Sequence, residues 1–229
     1  MGKDITLHNG NSITAEQLGI KPRKPLKDIL KGVKTIDRID KVLIIILDGS
    51  GSMLDAMGNS PKIKVAWGVL RTELMPNIAG WTYGVILFHG FGEADWIVRP
   101  SQDTKALMVI LNPVADGDTP MGKALTDAWN WVKSNARQAR FILLSDGMPT
   151  DITETAILDL AEKNSTIPID TVGIGAGSYS YNPAFLSELS RITGGMFVEA
   201  GSVKMLAETI LSLAPANRPL LGLTTGESK

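Results

Sequence analysis

The stretch Val42-Leu43-Ile44-Ile45-Ile46-Leu47-Asp48-Gly49-Ser50-Gly51-Ser52-Met53 decides how this chain is read. Its first six residues are all aliphatic, the pattern of a strand buried on both faces in a sheet covered by helices. The run stops at Asp48. Alternate residues of an extended segment point the same way, so Asp48, Ser50 and Ser52 present three oxygens to one side. Gly49 and Gly51 put no side chains between them and let the backbone turn sharply. A carboxylate with two hydroxyls is a hard oxygen set, suited to Mg2+ or Mn2+ rather than zinc.

Outward from this stretch, helix and strand patterns alternate. A helix is expected over 61–76, then strands at Tyr83–Phe88 and Asp95–Val98, then helices over 103–111 and 121–135. A second apolar strand, Phe141–Leu144, runs into Ser145-Asp146-Gly147. A helix over 154–164, a strand Ile169–Ile174, a helix over 183–193 and a strand Met196–Val198 follow. The last helix is expected over 202–213, with Leu206, Ile210 and Leu213 on one stripe. Alternation of this kind argues for an open α/β sheet with helices on both faces. Ligands of such sheets bind beyond the carboxyl ends of the strands. Asp48 and Asp146 each close a central strand there. The loop Asp116-Gly117-Asp118-Thr119-Pro120-Met121-Gly122 places Thr119 just before a helix and can add a third contribution.

This ordered set resembles the von Willebrand factor A family and its metal-ion-dependent adhesion site. The pattern there is Asp-x-Ser-x-Ser, a Thr in a later loop, and an Asp after a later strand. Asp48, Ser50, Ser52, Thr119 and Asp146 fill the five positions in order, and the likeness covers roughly 40–213. It extends to the strand Gly84–Phe88, to Thr119-Pro120-Met121-Gly122-Lys123-Ala124-Leu125 and to Val172-Gly173-Ile174-Gly175. The resemblance implies an open, mostly parallel, doubly wound, Rossmann-like sheet with one short antiparallel edge strand. It implies direct coordination of Mg2+ or Mn2+ by the three hydroxyls, with Asp48 and Asp146 coordinating or acting through water. It further implies a protein partner that offers an Asp or Glu carboxylate to the metal. The function expected is thus metal-dependent protein–protein interaction, not catalysis. The alternatives are an accessory subunit of an ATPase or metal-insertion machine and, further off, a metal-dependent hydrolase.

The chain has 229 residues, a net charge of -1, no cysteine and two histidines, His8 and His89. A disulfide framework, a thiolate zinc site and a His-rich metal site are excluded. Nothing in the overall charge calls for nucleic acid or a membrane surface, and no apolar run is long enough to span one. A monomeric, cytoplasmic domain is expected. The first 41 residues hold nine Lys/Arg against five Asp/Glu, leaving 14 against 19 for the rest. Residues 1–40 therefore read as a basic arm packing on the body, with a short strand around Ile5–Leu7 and a helix over 26–36. Residues 41–214 are the α/β domain, and 215–229 a loose tail.

Three other motifs lead nowhere. Gly117 to Ala124 nearly spells a phosphate-binding loop. However, Ala124 replaces the hydroxyl that would hold Mg2+, and Asp118 would oppose phosphate. A serine hydrolase would need a base for Ser50 or Ser52, with His89 the one candidate in the body and no nucleophile elbow around it. Asn164-Ser165-Thr166 is a glycosylation sequon by pattern alone.

Overall fold

The computed structural model describes Ile5–Thr6, Ser12–Ile13 and residues 38–103, 113–175 and 181–217. The chain divides into two compact units, Met1–Asp37 and Arg38–Lys229. In the first, Ile5–Thr6 pairs antiparallel with Ser12–Ile13. The helix expected over 26–36, the packing of the arm, the helix over 103–111 for its residues 104–111, and the tail from 218 onward lie outside the described residues.

The second unit is built on a six-stranded sheet. Its strands are β1 (Ile39–Asp48), β2 (Thr82–His89), β3 (Glu93–Ser101), β4 (Ala136–Ser145), β5 (Ile169–Ile174) and β6 (Phe197–Ala200). Their spatial order is β6-β5-β4-β1-β2-β3. All neighbours are parallel except β2 and β3, which form an antiparallel hairpin at the edge. The helices are α1 (Lys62–Val69), α2 (Met121–Asn135), α3 (Glu154–Lys163), α4 (Pro183–Thr193) and α5 (Val203–Leu213).

The central strand explains the layering. Leu43, Ile45 and Leu47 point into a core shared with α1 and α5, while Val42, Ile44 and Ile46 point into one shared with α2, α3 and α4. Both faces of β1 are therefore dry, as its unbroken aliphatic run requires. Leu206, Ile210 and Leu213 of α5 are all fully buried on the first face. On the second, Trp129 of α2 is buried, whereas Trp131 is half-exposed and lies against Trp96, ring centroids 5.7 Å apart.

Several elements differ in extent from their sequence patterns, each for a local reason. The antiparallel edge strand β3 extends beyond its pattern Asp95–Val98, to nine residues that include Arg99 and Pro100. An edge position needs no donor on one side, so Pro100 does not end it. The register slips between Tyr83 and Val85 to accommodate it, with Gly84 leaving room for Trp96 and Pro100. β4 begins at Ala136, five residues before its apolar run, because Ala136 to Ala139 pair with Ile39 to Val42. The buried Arg140 is tolerated there by two hydrogen bonds to Asp170, at 2.6 and 3.1 Å. The helix expected over 61–76 stays α-helical only to Val69. It widens over Leu70–Leu74 and tightens over Met75–Asn77, where Pro76 supplies no N–H. The final strand lies at Phe197–Ala200, beginning one residue later and ending two residues later than its pattern.

Candidate metal centre

β1 and β4 are adjacent, and both end at the same edge of the sheet. Asp48 and Asp146 are consequently neighbours, and both are fully buried. The Gly49 N–H donates to Phe88 O of β2 at 2.8 Å, which carries the chain off the end of the strand. Ser50 then turns back, its N–H donating to Asp48 Oδ1 at 2.8 Å. The Ser50 and Ser52 hydroxyls lie 3.1 Å apart, and Ser52 Oγ donates to Asp146 Oδ1 at 2.7 Å. Ser145 Oγ donates to Asp48 Oδ2 at 2.5 Å.

Thr119 arrives from a separate loop, held at two points. The first is a close crossing of Gly117 and Gly90, both with positive φ (62° and 63°). Gly90 N–H donates to Asp116 O at 3.0 Å and Asp118 N–H to Gly90 O at 2.7 Å. A Cβ on Gly117 would stand 2.6 Å from Gly90 Cα, so this crossing needs glycine. The second is the segment after β4. Thr119 N–H donates to Thr150 Oγ1 at 3.0 Å, and Thr150 N–H returns a bond to Thr119 O at 3.0 Å. Asp151 accepts from Gly122 N and Lys123 N at 3.1 and 2.7 Å, capping the first turn of α2. Thr119 is buried, its Oγ1 3.0 Å from where a Cβ on Gly147 would sit; Asp48 Oδ2 is 3.7 Å from that same point.

All five residues singled out from the sequence thus gather at one end of β1 and β4. Sequence reasoning gave no role to two further residues. Ser145 was visible as the residue before Asp146. Lys62 opens α1, and its Nζ donates to Asp146 Oδ2 at 2.7 Å from a residue only 8% exposed. A lysine at the positive end of a helix dipole is disfavoured, and that was the signal available for it. His89 pairs with carboxylates. Its Nδ1 lies 3.1 Å from Asp116 Oδ1, and Glu93 and Asp95 are close by. Asn164 of the sequon is 6% exposed, with its amide donating to Leu160 O, a poor acceptor for a glycan.

The residues suit a hard divalent cation. Burial drives the Asp48 carboxyl up to about 6, against hydrogen bonds from Ser145 and Ser50 that lower it, and neighbouring Asp146 raises it further. The Lys62 ammonium compensates Asp146, but a second buried carboxylate beside it is costly, and the side chains that could ligate a cation there are hydroxyls rather than imidazole or thiolate groups. Ser50, Ser52 and Thr119 would hold the ion, with Asp48 and Asp146 coordinating it or binding its waters.

Residues 43–148 match the family model described as the von Willebrand factor type A domain, a span containing all five of these positions. Among solved structures, the SpRpn10 VWA domain superposes with a TM-score of 0.61 at 15% identity, covering 80% of this chain and 100% of that one. The conserved hypothetical protein BatB from Bacteroides thetaiotaomicron gives 0.58 at 19% identity, over 75% and 95%. A von Willebrand factor type A protein from Catenulispora acidiphila gives 0.59 at 20% identity, over 78% and 43%. No curated protein matches the chain significantly. By their strand order, their flanking helices and the match over 43–148, the described residues between 38 and 217 have the fold of a von Willebrand factor type A domain.

Proposed function

We propose that this domain is a protein-interaction module whose contact is made through Mg2+ or Mn2+ held by Ser50, Ser52 and Thr119 beside Asp48 and Asp146. The observation that carries this reading is the gathering of two buried carboxylates and three hydroxyls beyond the carboxyl ends of β1 and β4. Neutral hydroxyl ligands leave the cation much of its charge, and Mg2+ keeps positions that an external oxygen can take. A carboxylate from a partner's Asp or Glu is the natural occupant.

The surroundings favour a protein as the bearer of that carboxylate. Leu54, Phe91, Val114, Met148 and Ile152 are exposed large apolar residues, Phe91 to 90%. Leu54 lies two residues after Ser52, and Met148 two after Asp146. Val114 O approaches the Cβ position of Gly49, and Phe91 follows the Gly90 that bonds Asp116. Apolar groups grouped around a polar centre mark an interaction surface. Among the described residues, no helix is long and apolar enough to cross a membrane.

The test is Mg2+ and Mn2+ binding by calorimetry, alongside capture of identified partners in Mg2+ and in chelator. Asp48→Ala and Ser50→Ala should abolish both metal heat and metal-dependent capture while the circular dichroism spectrum is retained. Capture that survives chelator and both substitutions would overturn the reading.

A further inference from the structure

Lys62 is out of place by ordinary rules. Lysine heads normally reach for water while their stems lie on apolar surface. The Lys62 ammonium instead turns inward, 2.7 Å from Asp146 Oδ2, whose carboxylate is fully buried. A second carboxylate, Asp55 Oδ2, lies 3.6 Å from the same nitrogen and is exposed. On the Asp55 side of the ammonium opens a cleft of about 380 Å³, lined in part by Asp55, Met57, Gly175 and Gly201, with Lys62 among its walls. The ammonium therefore stands between the candidate metal centre and open solvent, with an alternative anion on the solvent side.

We propose that Lys62 is a built-in counter-cation that sets both the affinity of the centre for its metal and the net charge of the loaded centre. The inference rests on the metal-binding reading above. Two opposed consequences follow from the charges. Without metal, Lys62 neutralises Asp146, and an incoming divalent ion must share that carboxylate with an ammonium a few ångströms away. The lysine thus weakens metal binding. Once metal is held, Asp48, Asp146 and the divalent ion alone would sum to zero, and a neutral centre draws an acidic ligand poorly. Lys62 raises the sum of these buried charges to +1, offset only in part by the solvent-screened Asp55, which favours an external carboxylate. Lys62 is a positioning and charge-setting residue, not a metal ligand. Asp55 offers the ammonium a second partner, so it can lean towards the cleft without losing all compensation.

The experiment is a Mg2+ titration of the full chain and its Lys62→Gln, Lys62→Met and Lys62→Arg variants. Calorimetry and melting temperature are both read. Removing a positive charge at this range, even in a water-like dielectric, should lower the Mg2+ dissociation constant roughly fivefold or more in the Gln and Met variants. The Arg variant should stay near the parent value. Lys62→Met keeps the apolar stem if Lys62→Gln packs poorly. A variant that melts in chelator is titrated from the Mg2+-loaded form by chelator competition. Mg2+ binding in the parent with equal or weaker binding in both neutral variants would overturn this inference and leave the proposed function standing. Binding in the neutral variants alone would uphold it and overturn the proposed function for the native chain. No binding in any of the four would overturn both.

Discussion

Asp48 is asked to be two things, a buried group at the end of a core strand and, in the proposed function, a charged group at a metal site. Its carboxyl is raised from the ordinary 3.8 to about 6, chiefly by burial. Between those values the folded chain binds a proton that the unfolded chain has released. In chelator, its contribution to stability is therefore fully present below about pH 4 and is lost as pH rises through about 6. The loss is on the order of 3 kcal/mol relative to Asp48→Asn, which cannot ionise. Urea unfolding of both proteins across pH 4–7 measures this difference, and parallel pH profiles would refute it. Metal reverses the preference, because it needs the ionised form. Mg2+ affinity should fall as pH drops below about 6.

At the scale of elements, the centre depends on a loop that belongs to neither of its strands. Thr119 is held by Thr150 through two hydrogen bonds, and α2 begins on the carboxylate of Asp151. Asp151→Ala should cost about 1 kcal/mol, the usual worth of a helix cap. It should also weaken Mg2+ binding, since the cap positions the turn that carries Thr119. Chemical unfolding and calorimetry on the same variant would separate the two effects. Unchanged metal affinity would show that the turn holds itself. Gly117→Ala should be harsher, because its Cβ would meet the Gly90 backbone at 2.6 Å and its φ is positive. A loss of at least 1–2 kcal/mol is expected.

At the scale of the whole molecule, two buried charge centres among the described residues tie the sheet together. One is the proposed metal centre, joining β1 and β4. Mg2+ at 100 times its dissociation constant should stabilise the fold by roughly 2.7 kcal/mol. For a domain of this size that corresponds to a rise of on the order of 5–10 °C in Tm. Identical melting curves in Mg2+, Mn2+ and chelator would count against any such site. The other is Arg140 of β4 with Asp170 of β5, both buried, where Asp170 Oδ1 also accepts the Met196 N–H at 2.9 Å. Asp170→Ala strands the guanidinium and should cost about 3–5 kcal/mol. Replacing both residues with apolar ones of similar volume should cost far less, and unfolding of the single and double variants tests the contrast.

What the sequence determined by itself was whatever period and chain order encode. The aliphatic run before Asp48 announced a strand with two dry faces, because only that position removes all six side chains from water. The helical stripes from 121, 154, 183 and 202 needed no tertiary context, since each carries its buried face at the helical period. Of the five candidate site residues, Asp48, Ser50, Ser52 and Asp146 were legible because small polar residues after apolar strands have few structural reasons to be there, and Thr119 because it stands in a turned loop just before a helix. Tertiary structure alone decided the rest. The polar starts of β4 and the proline in β3 hid strand that only pairing with neighbours could supply. Lys62 carries one faint signal in the sequence, its place at the start of a helix, but its partner is named only when the fold turns its ammonium onto Asp146, 84 residues away. Long-range electrostatics of that kind leave no period in the sequence. They exist only once the two strand ends and the start of α1 meet.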